Sequence, residues 1–540
     1  MRNEFDVVII GGGPVGLWLA SELALAKVKV AVLERRVERA TQSHELSIHS
    51  RTMEVFALRG LAERFLSRGQ PTSAGQFGAL DTRLNFSESE PRFPEMFLLQ
   101  QAVTEELLED RALELGADIR RGHRVQKVTQ HTDGVIIDGH NGEASFRLAA
   151  RYVVGADGAR SVVREAAGIA FPGDPAQHTV VLGDVILDAP PEQPPEQPPE
   201  QPIVTIVNKA GALLVAPLGD GVHHRLAMVD RQTADAVPSI PLSLNELAAA
   251  ASRIAGTDFR PRDPIWLSRF TGETRLATHY RKGRIFIAGD AADIHAPMGG
   301  QGLNVGIQDA MNLGWKLASV IKGHAAEALL DTYERERWPV GETFRNNALA
   351  QIGRFAAFDP EGLALRSGME EPPQAPNVNR QFADAVSGFG NAYPEPLFAA
   401  ARLWEHRQGV SGRHLCDADL ILRNGLDTTL YRLLEGGRWV QLQYARDGAA
   451  VSVAGEVTVV DLAPAHDGPF AGFDALLVRP DGYLSHVRPA RPESRSGETV
   501  PLLAGLHAIA ARRADGLRPE FIQVLFRSGD DPEAIRASMA

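Results

Sequence analysis

Apolar residues cluster in a pattern that repeats along the chain. The runs Phe5-Asp-Val-Val-Ile-Ile10, Val28 to Leu33, Tyr152-Val-Val and Arg284-Ile-Phe-Ile-Ala288 are short, β-branched and bounded by glycine or an acid. Such runs predict buried strands. Helical stretches follow two of them, Leu17 to Ala26 and a long apolar helix starting near Leu303. The middle of the chain reads differently. Ile203-Val-Thr-Ile-Val207, Ala212-Leu-Leu-Val-Ala216 and His224-Arg-Leu-Ala-Met-Val229 are short alternating segments, the pattern of antiparallel strands. Further on, a helix from near Leu329 is expected to break at Trp338-Pro339, because proline lacks the N–H that the helix interior needs. Residues 356 to 400 are rich in Pro, Gly and Ala and read as a linker with short helices. Strands return at Trp439-Val-Gln-Leu-Gln443 and between Ala475 and Tyr483.

The residues at the ends of these runs carry the chemistry. The first strand enters Gly11-Gly-Gly13-Pro14-Val-Gly16, a GxGxxG that opens a helix. Gly11 permits the tight turn, Gly13 lets a pyrophosphate approach and Gly16 lets helix pack closely on strand. Glu34 ends the second strand 18 positions past Gly16, near the spacing of a carboxylate that holds a ribose. Together these point to a dinucleotide without separating NAD from FAD. The third strand runs into Gly155-Ala-Asp157-Gly158-Ala-Arg-Ser161-Val-Val-Arg164, which alone could be an ordinary turn with a capping Asp157. The fourth ends on Gly289-Asp290, at the carboxyl end of a strand where open α/β sheets bind ligands. The loop Pro297-Met-Gly-Gly300-Gln-Gly302 follows, poor in side chains and able to bring backbone close to a flat ligand. The helix after it offers unpaired N–H groups and a partial positive charge to an anion.

In this order and at this spacing, GxGxxG, DGxxSxxR and GD…PxxGQGxN resemble the single-component, class A flavoprotein monooxygenases with the p-hydroxybenzoate hydroxylase fold. His49-Ser-Arg51-Thr-Met-Glu54-Val-Phe and Gln101-Ala-Val-Thr104-Glu105 also resemble segments of that family. The likeness runs to about residue 480 and is nearest to the branch acting on aromatic polyketides, rifamycin-like antibiotics and phenolics. There are two departures. Asp293 stands where the family usually has a His, with His295 two residues later, and His44 stands where an Arg often lies seven residues before Arg51.

The resemblance implies an α/β fold: a Rossmann-like, GR2-type FAD-binding domain at residues 1–175 and 271–395, an inserted antiparallel-sheet substrate domain at 176–270, and a C-terminal thioredoxin-like domain at 396–540 without Cys-x-x-Cys. It implies FAD as cofactor, NADPH or NADH as co-substrate and O2 as oxidant, acting through a flavin C4a-hydroperoxide on a phenolic or polyketide ring. Gly11, Gly13, Pro14, Gly16, Glu34 and Arg35 would hold the adenosine diphosphate end. Gln101, Val125 and Asp157 would lie along the cofactor, and Gly289 and Asp290 at its ribitol. Pro297, Gly300, Gly302, Leu303 and Asn304 would face the ring, where the helix amino end favours the reduced anion. Pro297 would sit near the oxygen site, and His295 and His44 are candidate bases for a phenolic proton. Trp266, Phe270 and Phe86 could line an aromatic pocket, with core packing as the alternative. No metal-ligating set is assigned.

Composition bounds the remaining possibilities. The 540 residues are 44% hydrophobic and 23% charged, which suits a globular protein with a large core. The formal charge of −12, with no basic cluster, argues against nucleic acid and anionic membranes as partners. No apolar run is long enough to span a bilayer, no signal segment precedes the first strand, and the single Cys416 excludes an intrachain disulfide. A cytoplasmic enzyme is the expectation, and the resemblance implies a homodimer. The Pro-Pro-Glu-Gln repeat from Pro190 to Pro202 reads as an extended exposed loop. Two alternatives stay open beside aromatic hydroxylation: Baeyer–Villiger or antibiotic-inactivating oxygenation, and a non-enzymatic flavin-fold binding protein. A halogenase is disfavoured, because no Trp-x-Trp occurs.

Overall fold

The computed structural model describes residues 4–489 except 41, 73, 77–82, 86–91, 94, 175–177, 193–202, 234–239, 296–298, 357, 359–375, 394–412, 445–455, 464–469 and 471–472. Pro297, Phe86 and most of the Pro-Pro-Glu-Gln repeat therefore lie outside the described residues.

An eight-stranded sheet forms the centre. Its order is Arg281–Lys282, Ile285–Ile287, Ala144–Gly155, Phe5–Ile10, Val30–Glu34, Asp118–Arg121, with Val135–Asn141 and His123–Gln130 paired beyond Ala144–Gly155. Phe5–Ile10 runs parallel to both Ala144–Gly155 and Val30–Glu34, and Ala144–Gly155 runs parallel to Ile285–Ile287. The carboxyl ends of four parallel strands thus meet along one edge. Backbone bonds tie that edge together: Gly11 N to Leu33 O, Ala156 N to Ile10 O and Ala288 N to Gly155 O, all 2.8–2.9 Å. Strands buried on both faces need apolar residues throughout, and Val7, Val8, Ile9, Val153, Val154, Phe286 and Ile287 are fully enclosed.

Helix Pro14–Leu25 begins three residues before the expected Leu17, because Pro14 takes the first helical turn, where its missing N–H is not needed. Helix Gly302–Ile321 lies against it and is buried over most of its length.

The chain between the third and fourth parallel strands forms a separate five-stranded antiparallel sheet, in the order Val204–Asn208, Gly211–Pro217, His223–Asp230, Thr179–Leu187, Pro261–Thr271. Helix Leu244–Ala255 covers one face of it and packs Leu247 and Ile254 against Leu213, Leu226 and Met228. A Ser243–Glu246 capping box starts this helix and Gly256 ends it.

Pro339 does not break its helix, contrary to the sequence expectation. A single helix runs from Asp331 to Phe355, with the proline inside it. Glu336 and Arg337 are buried before Pro339, and Val340, Phe344 and Ala348 after it. Tertiary packing on both sides outweighs the local cost of about 3 kcal/mol.

Beyond residue 413, a four-stranded sheet has the order Val457–Asp461, Trp439–Gln443, Phe473–Val478, Leu484–Pro489, parallel in the first pair and antiparallel in the others. Buried charge fastens it to the first domain. Arg59 forks onto Glu22 and donates to Leu434 O and Pro480 O. Arg479 forks onto Glu336, which also takes Lys316 at 2.7 Å. Burial drags the Lys316 ammonium down to about 8. Burial alone would raise Glu336, but Arg479 and Lys316 overcome it and hold the carboxyl at about 2. Cys416 is a buried free thiol in this region.

Candidate active site

The four strand ends enclose a cleft of about 440 Å³, a size suited to a cofactor. It is lined by Gly11, Gly13, Pro14, Glu34, Arg35, Gln101, Val125, Asp157, Asp290, Gly302 and Leu303, and also by His44 and His295. Gly11 and Leu303, 292 positions apart in the sequence, are thereby brought to one cleft.

Gly11 has φ +110°, and a Cβ there would lie 2.1 Å from Ala156 O. A Cβ at Gly16 would lie 2.0 Å from Gly11 O, so it is helix-on-strand packing that demands this glycine. A Cβ at Gly13 would meet no protein atom within 4 Å, and its backbone is ordinary extended chain, φ −80°. The Glu34 carboxylate accepts from Gly12 N at 2.7 Å and from Arg36 N at 2.8 Å, which pins it at the cleft and leaves lone pairs for another donor.

Asp157 accepts from Ser161 Oγ at 2.5 Å and Val162 N at 2.8 Å. It both caps the helix Val162–Ala166 and lines the cleft. Burial raises its carboxyl above the usual range, against those hydrogen bonds. Asp290 stands in the 3-10 turn Gly289–Ala291. Its side chain opens to the cleft while protein encloses its other sides, and that enclosure pushes its carboxyl up, opposed by His295. Gly289 N is held by Asp309 Oδ2 at 3.2 Å, and Asp309 is in turn paired with Arg337 at 2.6 Å.

No side chain caps the amino end of Gly302–Ile321, and the buried Gln301 Oε1 beside it has no hydrogen-bond partner among the described residues. The Asn304 carboxamide does not line the cleft. It accepts from His49 N at 2.8 Å and donates to Ser47 O and Gly300 O, holding the glycine loop in shape. Gly300, with φ +61°, faces Ser47, whose Oγ would lie 1.9 Å from a Cβ there.

Residues 4–348 match the family described as FAD binding domain, and residues 408–507 match the aromatic-ring hydroxylase C-terminal family. The chain is 40% identical over 487 residues to an uncharacterized aromatic compound monooxygenase of Bacillus subtilis, covering 90% of this chain and 94% of that one. It is 40% identical over 494 residues to a rifampicin monooxygenase of Streptomyces venezuelae, covering 89% and 95%. The solved anhydrotetracycline hydroxylase of Streptomyces rimosus superposes with a TM-score of 0.78 at 35% identity, over 94% of this chain and 99% of that one. The chain belongs to the FAD-dependent aromatic-ring monooxygenases.

The residues present suit the cofactor of that family. The space over Gly13 is where a side chain would stand in the way of a phosphate, and the uncapped helix end supplies donors to an anion. Arg35, Arg36, Arg124 and Arg160 add positive charge along the cleft.

Sequence reasoning missed the segment that closes this monooxygenase's site on the other side. Glu45 Oε1 accepts from Leu46 N, Ser47 N and Ser47 Oγ, so the Glu45–Ser47 turn packs directly on Gly300. His49 Nδ1–H donates to Val386 O at 2.9 Å, and burial lowers its imidazolium below the ordinary value. Glu45 belongs to no spaced motif and gave no signal in the sequence, whereas His49 opens a family-like segment that carried no hint of its bond to Val386. Of the suggested pocket aromatics, Trp266 donates its indole N–H to Asp184, and Phe270 packs with Phe355 and Phe358.

Asp293, at the family's usual His position, is buried beside the site and accepts from Tyr280 OH at 2.8 Å. Burial first, then repulsion from Asp309, raises its carboxyl from 3.8 to about 7, opposed by His295 and the Tyr280 bond. The folded state therefore holds this proton more tightly than the unfolded chain does. Its contribution to stability declines as pH rises from about 4 to about 7 and is flat above. Asp293→Asn is expected to remove that decline. In urea unfolding, the variant should match wild type near about pH 4 and exceed it by a few kcal/mol near about pH 8. Parallel curves for the two proteins would contradict the assignment.

Glu54, His414 and Cys416 also come within 4.8 Å of one another, but the Glu54 carboxylate is already taken by Arg51 and Tyr431 OH. Among the described residues, no helix is long and apolar enough to cross a membrane.

Proposed function

We propose that this monooxygenase hydroxylates a phenolic or polycyclic polyketide ring at the seam between the cofactor cleft and the five-stranded sheet. One observation carries this reading: His44 lines the cofactor cleft while its ring stands edge-on to Trp266 of that sheet, centroids 5.0 Å apart. Cofactor and substrate surfaces therefore share a wall. The names of the relatives, which act on rifampicin and anhydrotetracycline, support a polycyclic phenol as substrate.

FAD held in this cleft would supply the redox chemistry, accepting two electrons from NADPH or NADH so that one atom of O2 reaches an electron-rich ring and the other leaves as water. The chain supplies position, charge and dryness. Gly11, Gly13 and Glu34 would hold the adenosine diphosphate end, with Pro14 and Arg35 beside it, while Gly16 keeps the helix close to the strand. Asp290 bonds the ribitol hydroxyls, and the amino end of Gly302–Ile321 favours negative charge at the ring edge. His44 suits the role of base. Burial first and Arg225 second lower its imidazolium, so the ring is neutral near pH 7 and free to accept a phenolic proton. His295, across the cleft beside Gly302, is the second candidate. Residues 1–175 and 271–395 act as the cofactor domain and 176–270 as the substrate domain. The mixed sheet within 396–540 supports a thioredoxin-like appendage with a structural role.

The test is NADPH consumption by the FAD-loaded protein, with hydrogen peroxide tracked, across phenols and polycyclic aromatic polyketides. A compound that accelerates NADPH loss with little peroxide, and gains one oxygen, supports the reading. A product with an oxygen inserted into a carbon–carbon bond would replace hydroxylation by Baeyer–Villiger chemistry. A panel in which all NADPH ends as peroxide would count against this substrate class.

A further inference from the structure

We propose that Asp184, Arg225 and Trp266 form a latch that holds the Ser43–Glu45 wall of the cofactor cleft to the substrate-side sheet, as positioning residues for oxygenation. The three lie in one row across adjacent strands, Asp184 being registered opposite both Arg225 and Trp266. They stand on the face away from helix Leu244–Ala255, whose partners are the alternate residues Val181, Val185, Leu226 and Met228. All three are buried.

The bonding spends every group of the row on one target. Arg225 Nε and Nη2 each meet an Asp184 oxygen at 2.9 Å, and Trp266 Nε1 donates to Asp184 Oδ2 at 2.7 Å. The rest of the guanidinium crosses to the other domain, where Nη1 donates to His44 O at 3.0 Å and Nη2 donates to Ser43 O. The Trp266 ring then backs the His44 imidazole.

The segment so held has no regular structure of its own. Its opposite side is fixed by Ala102 N to Ser43 Oγ at 3.1 Å and Glu45 N to Gln101 Oε1 at 3.2 Å. It is thus bracketed between the Gln101 helix and the Arg225 fork. Glu45, the last residue of the bracket, carries the Ser47 turn against Gly300. Anything that frees Arg225 therefore loosens both His44 and the turn opposite the glycine loop.

A buried ion pair is a costly way to fill a sheet face, and apolar residues would do so at least as well. What apolar residues cannot do is fix two carbonyl groups of another domain by directional bonds. A planar fork with five donors can.

The experiment uses the full-length FAD-loaded protein and its apoprotein. Arg225→Lys keeps a charge beside Asp184 but loses the fork to Ser43 and His44. Trp266→Phe keeps a ring against His44 but deletes the bond to Asp184. The adenosine diphosphate end is held elsewhere, so both variants should bind FAD stoichiometrically. Arg225→Lys is expected to raise peroxide per NADPH about tenfold with the best aromatic substrate, to lower kcat for product and to leave KM for NADPH unchanged. The fluorescence of its bound FAD should change as the wall loosens. Trp266→Phe should show the same signs more weakly.

The catalytic readout rests on the oxygenase reading, but a second readout does not. Besides burial, the His44 imidazole feels Arg225 and Arg36, which lower it, and Asp184 and Glu45, which raise it. In the apoprotein, an NMR titration of His44 should move upward in Arg225→Met, with Arg225→Lys between. Unchanged FAD fluorescence and an unmoved His44 titration would overturn the latch. So would a lower Tm with peroxide yield and His44 unaltered, since that result assigns the row to folding alone. If wild type oxygenates nothing while His44 still moves, the function reading falls and the latch stands.

Discussion

Asp290→Ala is expected to purify without yellow colour. The carboxylate stands at the end of a central strand with its open side on the cleft, and nothing else in the 3-10 turn Gly289–Ala291 offers an acceptor side chain there. A hydrogen bond to a charged group is worth about 1.5–3 kcal/mol, so each lost ribitol bond weakens FAD about tenfold to about a hundredfold. Asp290→Asn keeps an acceptor without the charge and should retain FAD more weakly than wild type but better than Ala. Removing a carboxyl that opens to the cleft, and that its partial enclosure has already pushed upward, should not lower the Tm of the apoprotein. Titration of apoprotein with FAD, beside thermal unfolding of the same samples, checks both statements. Stoichiometric FAD at wild-type affinity in Asp290→Ala would remove the residue from the cofactor site.

Gly13→Ala should separate cofactor from fold. The added Cβ has φ −80° and empty space around it, so the apoprotein has no reason to resist it. Reducing the freedom of the unfolded chain would even favour the variant slightly. FAD is another matter, because on the proposed placement the methyl group would occupy the space where the pyrophosphate approaches. Crowding of about 1–3 kcal/mol corresponds to affinity about fivefold to about 150-fold weaker. Gly16→Ala is the control. Its Cβ would meet Gly11 O at 2.0 Å in the apoprotein itself, so Tm and FAD affinity should fall together. If Gly13→Ala lowered Tm as much as Gly16→Ala, the open space over Gly13 would have been misread as a ligand cradle.

The contrast between these two glycines also marks how far the sequence could be read. The GxGxxG spacing assigned a turn to Gly11 and a packing contact to Gly16, and the positive φ of the first and the close contact of the second match it, while the approach assigned to Gly13 is a proposal supported by the open space there. Glu34, Asp157 and Asp290 were legible because each follows a strand, and parallel strands deliver such residues to one edge. Asp157 shows where residue type runs short. The same carboxylate serves as a helix cap and as a cleft wall, and both readings hold at once.

What escaped depends on contacts between distant segments. Pro339 obeys a local rule that burial on both sides overrides. Asn304 belongs to the loop motif, yet its carboxamide is spent on His49, Ser47 and Gly300. The environment of His44 is set by Arg225, 181 positions away, and no periodicity links the two. Glu45 and His49 matter through where an irregular segment lies, and irregular segments leave no pattern in the order of residues.

The central claim is that this chain holds FAD at the strand ends and uses it to place one atom of O2 on an aromatic ring. The most direct measurement is the mass of the product formed by the FAD-loaded protein with NADPH under 18O2, using the aromatic compound that best suppresses peroxide. One 18O per product, with none from solvent water, is the expected result. A product without the label, or NADPH oxidised entirely to labelled peroxide with every aromatic offered, would contradict the account.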